Sequence, residues 1–213
     1  MPRVDLKRGE QKKHVARALK EIQNGYIIAA PLEHGYVFLT DAFSPYSVRA
    51  MHVLRGNEDG VAAQVLVHNA KALDGIAREI PQSVRELTEN FWPGLLSLNL
   101  KPNRSLSWDL GDDHGLDLFS VRAPKSSFIR ALLKASGPLA VASAAPVGQK
   151  PLLSLTRPLI ESWNVSLVFD KGALRAGPLS SVVEVSPSGL TLRREGAISY
   201  AQLLKVAPSI SLS

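Results

Sequence analysis

Short apolar runs alternate with amphipathic stretches along most of the chain, and the alternation predicts where strands and helices fall. Tyr26–Ala30 is uninterrupted and too short for a helix, as expected of a strand buried on both faces. Pro31 ends it and opens a tight loop, Leu32-Glu33-His34-Gly35, from which a second strand leaves at Tyr36–Leu39. Ser44-Pro45 then makes a helix start, hydroxyl as N-cap and proline in the first turn, and that helix ends near Arg55-Gly56-Asn57. A loop carrying an acid and an imidazole at the end of a buried strand is where an α/β protein places its site.

The same reasoning extends to both sides. Gln11–Asn24 shows Val15, Leu19 and Ile22 on one helical face and reaches Asn24-Gly25 as a C-cap. Ala63–His68 reads as a buried strand, and Asn69 caps a helix with Leu73, Ile76, Ala77 and Ile80 turned inward, broken by Pro81. A short helix over Ser83–Asn90 leads into the bulky turn Phe91-Trp92-Pro93-Gly94. The strand Leu95–Leu100 follows, with Leu95, Ser97 and Asn99 on one face. Further strands are predicted at Leu116–Arg122, Pro138–Ala142, Ser166–Phe169, Leu179–Val185 and Leu190–Arg194. Helices are predicted from Ser126 or Ser127 to Gly137, over Thr156–Trp163 and over Ser199–Val206. Strands that alternate with helices early and form a hairpin late predict one α/β domain around a twisted, mixed parallel and antiparallel sheet. It spans 8–206, with mobile ends at 1–7 and 207–213.

Composition narrows the partners. The 213 residues carry a net charge of +6, which favours polyanions such as nucleotide phosphates or RNA. With 45% hydrophobic residues the chain can bury a substantial core, and with no cysteine it has no disulfide, zinc–thiolate site or cysteine nucleophile. Residues 1–25 are basic and amphipathic, without the apolar segment of a signal peptide, and no run approaches the roughly 20 apolar residues of a membrane span. A cytoplasmic, non-membrane protein is therefore expected, and a monomer or weak homodimer is the expectation for its assembly. The polar stretch 101–115 clusters Asp109, Asp112, Asp113 and His114, but their spacing matches no calcium loop and no metal site is assigned. Ser143-Ala144-Ala145-Pro146-Val147-Gly148 follows a strand of small residues, and small side chains let backbone N–H groups approach an anion closely.

Several segments, in order, resemble the YrdC/YciO family of threonylcarbamoyl-AMP synthase-like proteins. They are Asn24-Gly25 with Ile27–Pro31, Gly35-Tyr36, Phe91–Ser97 (close to FWPGPLT), Val121–Pro124 (VRxP), Ser180–Glu184 (STVVD) and Arg194–Ile198 (RxGAI). The resemblance implies a twisted mixed sheet around a basic concave cleft. It also implies ATP or AMP as ligand, magnesium accompanying ATP but no tightly bound cofactor, and tRNA or double-stranded RNA as a partner. Family enzymes join L-threonine and bicarbonate with ATP, releasing pyrophosphate, and the product feeds tRNA modification.

The departures fall on side chains that do chemistry. PTDT appears as Pro31-Leu32-Glu33-His34, the KxR pair as Arg55-Gly56-Asn57, and SAN as Ser143-Ala144-Ala145. By resemblance the nucleotide-binding candidates are Arg55, Arg122, Ser143, Ser180, Ser181 and Arg194. Arg55, Ser143 and His34 are the catalytic candidates. Arg122 also reads as one half of a structural ion pair, and Ser180 and Ser181 as strand-entry hydrogen bonds. Glu33, His34 and His68 are the substrate-binding candidates, with His68 equally a packing residue at a strand end. Each preorganised donor or cation lost from such a site costs on the order of 3 kcal/mol. A weakened adenylating site is the expectation.

Overall fold

The computed structural model describes residues 2–106, 108–113, 115 and 117–213. Its strands are β1 (Arg3–Asp5), β2 (Ile28–Pro31), β3 (Tyr36–Asp41), β4 (Gln64–Leu66), β5 (Leu96–Leu100), β6 (Phe119–Arg122), β7 (Leu139–Ser143), β8 (Leu167–Asp170), β9 (Ser181–Ser186), β10 (Gly189–Arg194) and β11 (Ser211–Leu212). Its helices are α1 (Gln11–Gln23), α2 (Pro45–Arg55), α3 (Leu73–Ile76), α4 (Gln82–Phe91), α5 (Ser127–Ser136), α6 (Arg157–Glu161) and α7 (Tyr200–Val206). The strands join one mixed sheet in the order β1-β8-β2-β3-β7-β4-β6-β5-β9-β10-β11.

Strand alternation divides the core into two layers. Ile28 and Ala30 face α1 and α5 together with Val37, Leu39, Phe128 and Leu132, whereas Ala29, Tyr36 and Phe38 face the opposite layer with Met51, Leu87 and Leu203. This is the double burial predicted from the unbroken apolar run. On the second face Phe38 meets the edge of Trp163, ring centroids 5.0 Å apart. Ser44 accepts from the Ser47 amide as the N-cap of α2, and Gly56 closes that helix in the left-handed region at φ 75°.

Three expectations change. The helix predicted after Asn69 is a 3-10 turn at 70–72 followed by the single turn α3. Gly75 weakens the helix there, and Ala77 leaves it to bridge Pro102. The helix predicted over Thr156–Trp163 is only α6. The residues assigned to mobile ends carry edge strands, β1 beside β8 and β11 beside β10. Segments of two or three residues become strands by pairing, which no local pattern reveals. Asp109 and Asp113 from the acidic cluster both pair with Arg49, and His114 lies outside the described residues. Among the described residues no group of three or more His, Cys, Asp or Glu side chains is placed to hold a metal ion.

Candidate functional site

The loop Leu32–Gly35 joins two antiparallel strands, closed by the Leu32 amide donating to the Gly35 carbonyl at 2.9 Å. It forms one wall of a cleft of about 380 Å³. The end of α2, Gln64 on β4, Arg122 on β6, the end of β7, Ser180 ahead of β9 and Arg194 on β10 supply the remainder. Two extended segments fold over this loop. Residue 35 must be glycine because a Cβ there would sit 2.8 Å from Pro151, and Tyr36 donates its amide to the Leu152 carbonyl. Leu174 then donates to the Leu153 carbonyl at 2.7 Å, tying the two segments together.

Three arginines reach the cleft, in three electrostatic states. Arg122 is buried and donates to Glu33 Oε2 at 3.1 Å and to the Gly94 carbonyl at 3.3 Å, while Glu33 Oε1 takes the Lys125 amide at 2.6 Å. The ion-pair reading of Arg122 is therefore realised, with the Glu33 that was assigned to substrate. Gly94 is required at the other end of this contact, since a Cβ would stand 2.2 Å from the Phe91 carbonyl.

Arg194 is exposed and donates through Nε to the Ser180 carbonyl and through Nη2 to Ser180 Oγ. Arg55 is different. Its Nε is buried without any hydrogen-bond partner, and burial pushes its pKa below the ordinary guanidinium value. A buried unsatisfied donor on a cation is costly, and the residue that carries it lines the cleft.

A chain of side chains lies along the cleft floor. Gln64 Nε2 donates to Ser97 Oγ at 3.0 Å and to Ser120 Oγ at 3.1 Å, and Ser97 Oγ donates to Ser180 Oγ at 3.0 Å. Ser180 Oγ thus accepts from both Ser97 and Arg194, which leaves its own proton to donate into the cleft. Ser143 Oγ accepts the Ala145 amide at 3.2 Å and is likewise left with a proton to give. Ala145 is buried and offers no polar side chain.

His34 sits at the junction of the loop and its cover. Nδ1 lies 3.0 Å from the Arg175 carbonyl, so the proton resides on Nδ1 and the ring is held from one side. Its face abuts Gly177, where a Cβ would stand 2.3–2.5 Å from ring atoms.

Two candidates fall elsewhere. His68 donates Nδ1 to the Arg130 carbonyl at 3.0 Å and does not line the cleft, which is the packing role. Ser181 is fully buried behind the floor, donating to the Ile198 carbonyl and accepting the Gly196 and Ile198 amides. Neighbours in an extended segment point to opposite sides, so only one serine of the pair can face the cleft.

His52, Gln64 and Ser97 take part although none was singled out from the sequence. His52 Nε2 donates to the Leu110 carbonyl at 2.8 Å, and its Nδ1 accepts from Asn57 Nδ2 at 2.5 Å. A lone histidine on an amphipathic helix carries no local signal. The alternation that put Ser97 on the polar face of β5 was visible, but not its partner Gln64.

The chain matches the family model for Sua5, YciO and YrdC proteins, described as "Telomere recombination", over residues 20–196. A putative threonylcarbamoyl-AMP synthase of Mycobacterium leprae is 30% identical over 193 residues, covering 90% of this chain and 87% of that protein. The structure of Pyrococcus abyssi Sua5 complexed with L-threonine is similar with a TM-score of 0.86 at 25% identity. It covers 100% of this chain and 62% of that one, so the present chain spans about three fifths of that protein's length. Escherichia coli YciO shares the fold, with a TM-score of 0.78 at 18% identity over 92% of this chain and 95% of that one.

Proposed function

Because the chain belongs to the Sua5/YciO/YrdC family, we propose that it is a nucleotide-binding relative of the threonylcarbamoyl-AMP synthases with a weakened adenylating step. The observation that carries this reading is the unpartnered Nε of Arg55 in a cleft that also offers the free hydroxyl protons of Ser143 and Ser180. Those groups suit one phosphate, and Arg194 supports it through Ser180. Glu33 orients Arg122, and His34 anchors the covering segment beside the position a second substrate would take.

Weakening follows from what transfer of an adenylyl group requires. Negative charge grows on pyrophosphate as it leaves, and positioned cations must shield it. Asn57 is neutral with its amide turned to His52, and Ala145 has no side-chain donor. Together they remove on the order of 6 kcal/mol of stabilisation if each acts independently at about 3 kcal/mol.

The test is pyrophosphate release from ATP in the presence of L-threonine and bicarbonate. Turnover at least a hundredfold (about 3 kcal/mol) below that of a relative with intact motifs supports the reading. Turnover equal to that relative overturns it and makes the chain an active threonylcarbamoyl-AMP synthase.

Binding to tRNA or duplex RNA is part of the proposal, on the strength of the net charge of +6. Such binding falls steeply with rising salt. A cytoplasmic location belongs to the same reading. No helix among the described residues is long and apolar enough to cross a membrane.

A further inference from the structure

Resting on the nucleotide reading above and narrowing it, we propose that the cleft selects a nucleoside 5′-monophosphate, such as AMP, over the corresponding triphosphate.

Charge is the first ground. The described residues lining the cleft include three arginines and one glutamate as formally charged side chains, a net of +2. A phosphate monoester carries about −1.5 to −2 at pH 7, so one such group balances the lining. Arg122 is paired with Glu33, so the net charge rests on Arg55 and Arg194, and a second or third phosphate would bring charge that the described residues lining this cleft do not balance.

The supply of donors is the second. The guanidinium groups of Arg55 and Arg194 and the hydroxyls of Ser143 and Ser180 line the cleft with protons to give, and a single phosphate has the oxygens to take them. Asn57 cannot extend the set toward a second phosphate while its amide is spent on His52.

The third ground concerns the metal that accompanies a triphosphate. Magnesium is held by one or two carboxylates together with substrate phosphates. Glu33 is the only carboxylate among the described lining residues, and its two oxygens are taken by Arg122 and by the Lys125 amide. The residues present do not fit a magnesium ion. A triphosphate would bring its excess charge into the cleft without a protein-held counterion.

The experiment is a calorimetric titration of the full chain with AMP, with ATP, and with ATP plus magnesium. AMP is expected to bind more tightly than either form of ATP. Asn57→Arg is expected to tighten ATP by about tenfold, the worth of one added charge-assisted contact, while leaving AMP within about threefold. Binding of ATP as tight as or tighter than that of AMP by the unaltered chain overturns the proposal, and this comparison needs no variant to fold. Binding of neither nucleotide overturns the proposal together with the nucleotide reading, a result distinct from a reversed order of affinities.

Discussion

Asn57 donates its side-chain amide to Nδ1 of His52 across 2.5 Å, and His52 passes the connection on by donating Nε2 to the Leu110 carbonyl. The ring therefore holds the C-terminal end of α2 against the segment around Leu110, with Arg55 lying between His52 and Asn57 in sequence. Gly111 completes the fit: a Cβ there would come within 2.4 Å of the ring, and its φ of 98° lies in the region that favours glycine. Asn57 is thus a structural group in this chain rather than a free one.

That arrangement predicts an asymmetry between two variants. His52→Leu leaves both the Leu110 carbonyl and the Asn57 amide unpaired in a largely buried place and should cost about 1–3 kcal/mol. Asn57→Ala keeps the bond to Leu110 and should cost about 1 kcal/mol or less. Urea denaturation midpoints of the two variants measure the difference, and equal losses would mean that the ring is not the anchor.

The cover over the Leu32–Gly35 loop depends on contact between His34 and Gly177. Gly177→Ala drives a methyl into the imidazole and should break the bond to the Arg175 carbonyl, at about 1–3 kcal/mol for overpacking. In a His34→Ala background the added methyl has room, and its cost should disappear. Amide hydrogen exchange over residues 174–179 in the two single variants and the double variant reads this coupling directly. Additive effects would show that the two residues do not act on one another.

Acid should act through Asp170. This carboxylate is buried, which by itself raises its pKa. Hydrogen bonds from Tyr36 at 2.5 Å and from the Gly172 amide at 2.6 Å, with the contact to Arg3, outweigh burial and hold the pKa below the ordinary value. A group depressed on folding contributes stability that is fully present above its unfolded pKa, about 3.9, and lost as pH falls through the lower folded value. Stability of the unaltered chain should therefore drop as pH falls below about 4. Asp170→Asn should be less stable at neutral pH and show a shallower decline below that point. Thermal melts across the acid range measure both.

Much of the fold was legible because burial on two faces leaves an unbroken apolar run. Tyr26–Ala30 announced β2 in this way, and the Ser44-Pro45 start and Gly56 stop of α2 follow from capping chemistry that acts locally. What escaped depends on partners distant in sequence. Arg3–Asp5 is a strand only because β8 stands beside it, and Ala77 left its helix to meet Pro102. The site divides along the same line. Arg55, Ser143, Ser180 and Arg194 line one cleft, as their motifs implied, while the commitment of Glu33 to Arg122 joins residues 89 apart. Ser181 shares its motif with Ser180 but faces the other way, and His68 at its strand end turns to the Arg130 carbonyl; facing is set by register rather than by residue type.

Arg55 is where the account is most exposed to measurement. Equilibrium titration of AMP into the unaltered chain and into Arg55→Ala, with folding of both checked by circular dichroism, isolates the cleft-lining guanidinium whose buried Nε has no partner. Loss of its charge-assisted contacts should weaken AMP by about ten- to a hundredfold. AMP binding with equal affinity to both proteins would contradict a phosphate site built around Arg55.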